Sequence, residues 1–129
     1  MPGPASYPRL WHDLRSQVNQ ITGYSEMMSD EAAEAGLEKP IEELHEIDRS
    51  GGQIAALIDR FAERGDSIDQ EGLRECLAAV GPIVDGILAN CQALRGADAT
   101  AEWEGDLDVI RDAAKACRRM IQAAVSAPG

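Results

Sequence analysis

Trp11, Leu14, Val18, Ile21, Ser25 and Met28 follow one another at alternating steps of three and four residues. That spacing marks one face of a helix built to pack along its whole length against other helices. Three more stretches repeat it. The second carries Leu44, Ile47, Gly51, Ile54, Ile58 and Phe61; the third Leu73, Leu77, Val80, Val84, Ile87, Cys91 and Leu94; the fourth Trp103, Leu107, Ile110, Ala114, Cys117 and Ile121. No stretch alternates with period two for long enough to form a sheet. An isolated helix is marginal in water, so each stripe must be covered by the others. The fold class expected is all-α.

At 129 residues one domain is the default. Local signals divide it into four helices. Pro8 suits a first helical turn and Gly36 a C-terminal stop. The polar patch Ser29-Asp30-Glu31 is a place for the first helix to loosen or bend. Pro40, with Glu42 and Glu43 behind it, opens the second helix, and Arg64-Gly65 closes it. The Gly51-Gly52 pair marks either close helix approach or a kink. Asp66 or Ser67 would cap the third helix and Gly96 would end it, with Pro82 bending it. Thr100 would cap the fourth. Connections this short favour antiparallel neighbours, so the architecture expected is an up-down-up-down four-helix bundle.

The halves repeat. Moved back by 66 residues, the third stripe lands on Tyr7, Trp11, Leu14, Val18, Ile21, Ser25 and Met28. Moved back by 63, Leu107, Ile110, Cys117 and Ile121 land on Leu44, Ile47, Ile54 and Ile58. Two consecutive helices matching in order point to two tandem hairpins, 8–64 and 67–125, in a single bundle 1–129.

A net charge of −11 without a basic stripe argues against nucleic acid and against an anionic membrane surface. Neither a membrane-spanning run nor the apolar core of a signal peptide is expected, which points to a cytoplasmic protein. Cys76, Cys91 and Cys117 are far apart and outside any Cys-x-x-Cys pair, so neither a disulfide framework nor a metal site is expected. Cys91 and Cys117 lie on apolar stripes, where a reduced cysteine behaves as a small hydrophobe.

His12 lies roughly 140° from the centre of the first stripe, so it faces outward. It stands in Leu10-Trp11-His12-Asp13-Leu14-Arg15-Ser16-Gln17, followed by Asn19-Gln20-Ile21-Thr22-Gly23-Tyr24-Ser25-Glu26-Met27. This wording resembles the dimerisation and phosphoacceptor domain of sensor histidine kinases. The resemblance covers about the first half of the chain. It implies that His12 accepts a phosphoryl group and that the adjacent Asp13 assists proton transfer. Ser16 stands where the commonest subfamily has threonine or asparagine, and Gln17 replaces its usual proline. A glutamine five residues after the histidine belongs to a second subfamily, where it orients water for dephosphorylation. Gln17 therefore joins His12 and Asp13 as a candidate catalytic residue. Arg15, Ser16, Asn19, Gln20 and Gly23 are the candidate partner-binding residues. Arg15 would meet phosphate or an acidic surface, or pair with Asp13 or Asn19. A small residue at Gly23 would allow close approach of a partner helix or merely weaken this one. His45-Glu46 copies the pair superficially, and the solvated reading is preferred there.

Kinase domains of this family build their bundle from two chains, each giving one hairpin. Here one chain carries two, so a fused pseudo-dimer and a monomer are expected. At the second hairpin, Ala78 and Ala79 stand for His12 and Asp13, and Ile83 for Gln17. No Gly-rich phosphate cradle is present, and a nucleotide-binding domain would need over a hundred further residues. Phosphate would therefore come from or go to another protein. The first reading is a histidine-containing phosphotransfer domain of a two-component phosphorelay, exchanging phosphate with a response-regulator receiver domain. It needs no cofactor of its own, since magnesium would belong to the receiver. The alternatives are a docking or dimerisation module within a larger signalling protein, and a receiver phosphatase using Gln17.

Overall fold

The computed structural model describes residues 7–96 and 103–127. Four long helices account for nearly all of them: α1 (Pro8–Glu34), α2 (Glu38–Ala62), α3 (Gln70–Gly96) and α4 (Glu104–Ser126). A short 3-10 turn, Gly65–Ser67, leads into α3. The helices form a ring in which each packs mainly on its chain neighbours and α1 closes against α4. Cross-helix pairs fix the directions. Arg15 early in α1 meets Asp59 late in α2, Arg64 just after α2 meets Glu75 early in α3, and Arg95 late in α3 meets Asp108 early in α4. Trp103, just before α4, bonds Glu31 near the end of α1. All four contacts are antiparallel, the expected up-down-up-down bundle.

The four stripes make one core. Leu14, Ile21, Met28, Leu44, Ile47, Ile54, Ile58, Leu73, Ile87, Leu94, Ile110 and Ile121 are all fully or almost fully buried. The matched pairs are buried together: Val18 with Val84, Ile21 with Ile87, Leu44 with Leu107, Ile47 with Ile110, Ile58 with Ile121. The polar Ser25 is buried too, and its hydroxyl is satisfied by donating to the Thr22 carbonyl at 3.0 Å. The register departs from the third stripe at its start, where Cys76 is buried and Leu77 only half-buried.

The ends differ in detail from the sequence signals. Gly36 does stop α1: its φ of +71° lets Leu37 N–H reach the Ala32 carbonyl at 2.9 Å, and its own N–H reaches Ala33. The helix runs unbroken through Ser29-Asp30-Glu31. α2 opens at Glu38 rather than Pro40, which sits two residues inside the first turn where a missing donor is still harmless. α3 is capped by Asp69, whose Oδ1 accepts the Gly72 N–H at 2.8 Å, while the Ser67 hydroxyl donates to the Arg64 carbonyl. α3 continues as one helix past Pro82. The Asp66 side chain and Thr100, the other expected caps, lie outside what is described. Gly51 marks a close approach: a Cβ there would stand 2.7 Å from Thr22 Cγ2 and 3.3 Å from Ile21 Cγ2.

From the sequence no membrane-spanning run is expected. α3 is long and apolar enough, by length and composition, to cross a membrane. Its buried stripe packs between α2 and α4.

Candidate functional site

α1 sets out its polar residues by the same periodicity that buries its stripe. His12 is exposed one turn into the helix, and Asp13 beside it is half-buried. Neither the imidazole nor the Asp13 carboxylate makes a hydrogen bond or ion pair among the described residues. The His12 carbonyl accepts from the Ser16 hydroxyl at 3.3 Å, so Ser16 ties itself to the helix backbone one turn on. Gln17 is half-buried and stands roughly 140° round the helix from His12, at 100° per residue.

Seven residues return a helix to nearly the same azimuth. His12, Asp13, Ser16 and Gln17 therefore stand directly above Asn19, Gln20, Gly23 and Tyr24. Those four, with Met27 and Asp106 of α4, line an open groove of about 480 Å³ between α1 and α4. The candidate acceptor and the groove thus share one face, about 10 Å apart along the helix. Asn19, Gln20 and Gly23 were expected on this side. Tyr24, Met27 and Asp106 were not, because their role depends on which helix closes against α1. Met27 is 41% exposed, unusual for an apolar side chain in this chain. A Cβ on Gly23 would meet nothing within 4 Å, so its backbone is open to solvent rather than pressed by a neighbour within the bundle.

Arg15 departs from its expected company. It forms its ion pair with Asp59 of α2, not with Asp13 or Asn19, on the side of α1 away from the groove. Both partners are about half exposed, so the pair adds little stability. His45 is exposed on α2 beside buried Leu44.

In the second hairpin Ala78 is exposed and Ala79 half-buried, as His12 and Asp13 are. Ile83 is half-buried, as Gln17 is. The surface geometry repeats while the functional groups do not. The three cysteines are buried and free. Burial pushes the Cys76 and Cys91 thiols up to about 11 and Cys117 to about 12, so all three are neutral and unreactive near neutral pH.

No protein family, curated protein or solved structure matches the chain.

Proposed function

We propose that this chain is a histidine-containing phosphotransfer protein or domain of a two-component phosphorelay, exchanging a phosphoryl group between His12 and a receiver-domain aspartate. The observation that carries the reading is the exposed His12 imidazole beside Asp13, without a hydrogen bond among the described residues, on the outer side of a helix whose other face is sealed in the core. A nucleophilic imidazole needs a free ring nitrogen and open space for in-line approach to phosphorus.

In the transfer, the lone pair of one His12 ring nitrogen forms the N–P bond. The P–O bond to the receiver aspartate breaks, and its electron pair leaves with the carboxylate. The other ring nitrogen keeps its proton, and Asp13, the adjacent acid in the chain, is the group assigned to hold it. Magnesium would be held by the receiver's acidic pocket, not by this chain, and would there balance the charge on the phosphoryl oxygens. The reverse reaction returns the group. The groove below His12 receives the partner's contact surface, with Asn19, Gln20 and Gly23 on its near wall. Ser16 belongs to the same face, and Arg15 contributes from the other side as part of its pair with Asp59. With both hairpins in one chain, the protein works as a monomer in the cytoplasm.

A second reading draws on the exposed Met27 and the groove it shares with Tyr24: a docking module of a larger signalling protein, without transfer chemistry. Incubation with phosphorylated receiver domains from the same genome separates the two. Transfer gives a base-stable, acid-labile label on the chain; docking gives binding without label. Faster loss of phosphate from the receiver, abolished by Gln17→Ala, would instead favour a phosphatase.

A further inference from the structure

The second hairpin has lost the His12 box, but it carries a feature that the first hairpin lacks. Between α3 and α4 lies a groove of about 350 Å³ lined by Leu88, Cys91, Gln92, Arg95, Arg111 and Lys115. The positions equivalent to its polar residues in the first hairpin, at the same offsets of 66 and 63, are Glu26, Ser29, Asp48 and Gly52. The basic character therefore belongs to this hairpin alone, in a chain whose net charge is −11.

Two of the three cations are held in place. Asp108 bridges Arg95 and Arg111, and Arg111 also pairs with Asp112 at 3.1 Å. Arg95 is only 25% exposed, so its charge acts in a medium of reduced screening. Each guanidinium carries five donors, and one or two carboxylate contacts leave several free. Lys115 has no carboxylate partner among the described residues. Even with both aspartates counted, the cluster keeps a net positive charge. Its cations also reach the groove floor: burial pushes the Cys91 thiol up, and Arg95 and Arg111 are the charges that pull against it. Leu88 and Cys91 supply an apolar surface, and Gln92 a neutral donor.

We propose that this groove binds a small phosphomonoester, its dianion held by Arg95, Arg111 and Lys115 and its organic part laid over Leu88 and Cys91. Two arginine forks and a lysine are the side chains suited to a phosphoryl group. The volume lies near the lower end of ligand sites, which suits a small molecule. The site is separate from His12 and does not depend on the phosphotransfer reading.

Titration of the full chain with phenyl phosphate, followed by two-dimensional amide NMR, tests it. Saturable shifts are expected at the Gln92 side-chain amide and around Lys115, with weaker binding of inorganic phosphate. Sodium chloride at matched ionic strength should not reproduce them. Lys115→Gln, an exposed position, should weaken binding by about tenfold or more, as loss of a charge-assisted hydrogen bond does. Arg118→Gln, which removes a basic residue paired with Asp85 instead, should leave it unchanged. Shifts that grow linearly, that sodium chloride reproduces, or that are equally affected by the two variants would overturn the proposal.

Discussion

The indole Nε1 of Trp103 donates a 3.1 Å hydrogen bond to the Glu31 carboxylate, joining the start of α4 to the end of α1. It closes the ring between the two hairpins at the end of α1 opposite His12. Trp103 is 4% exposed, so its N–H has little access to water as a substitute. Glu31→Ala should cost about 1 kcal/mol, read by urea unfolding followed through tryptophan fluorescence. Glu31→Gln keeps an acceptor and should recover most of that loss. Equal losses in both variants would mean that the bond contributes through charge rather than geometry.

Gly51 and Gly52 are neighbours in α2 with opposite expected responses. A Cβ on Gly51 would crowd Thr22 and Ile21, whereas one on Gly52 would meet nothing within 4 Å. Gly52→Ala should stabilise by about 0.5–1 kcal/mol through helix propensity. Gly51→Ala should lose about 1–3 kcal/mol to overpacking, partly offset by the same gain. Thermal unfolding of the pair checks the ordering, which would reverse if α1 and α2 packed in another register.

Ile21 and Ile87 are both fully buried and occupy equivalent places in the two hairpins. Each Ile→Ala change should cost about 2–5 kcal/mol, and the two costs should be similar. Chemical denaturation of both variants is the measurement. A negligible loss at either position would place that residue outside the shared core.

Most of this architecture is legible in the sequence because burial at three-four spacing is a local property. Leu14, Val18 and Ile21 declare their face without reference to any other helix. Helix ends are less legible, since Asp66, Ser67 and Asp69 are all capable caps and only the path of the preceding turn selects Asp69. Cys76 and Leu77 lie on opposite flanks of the third stripe, at 100° per residue, and it is Cys76 that is buried while Leu77 is only half-buried. At the candidate site, the outward direction of His12, Asn19, Gln20 and Gly23 follows from the stripe. The groove partner Asp106 and the Arg15–Asp59 pair do not, because both depend on which helices become neighbours.

The buried thiols make stability fall at high pH. Cys76, Cys91 and Cys117 titrate at about 11, 11 and 12 in the folded chain against an ordinary value of 9.0. Below that ordinary value both folded and unfolded thiols hold their protons, so the contribution does not change with pH. Above it the unfolded state binds fewer protons, and stability declines progressively until the folded thiols ionise in turn. Cys117→Ala should make the decline from pH 9 to 11 shallower, whatever it does to stability at neutral pH. Urea midpoints measured across that range provide the check, and an unchanged slope would contradict the burial-driven shift.

The proposed phosphotransfer puts the phosphoryl group on His12. The most direct measurement is site mapping of the labelled chain after incubation with a phosphorylated receiver domain and magnesium. Wild type and His45→Gln should carry an acid-labile, base-stable phosphoryl group on the peptide containing His12. His12→Gln should carry none while unfolding within about 0.5 kcal/mol of wild type, as exposed substitutions usually do. A label that survives in His12→Gln, or a receiver that binds wild type and transfers nothing, would contradict phosphotransfer through His12.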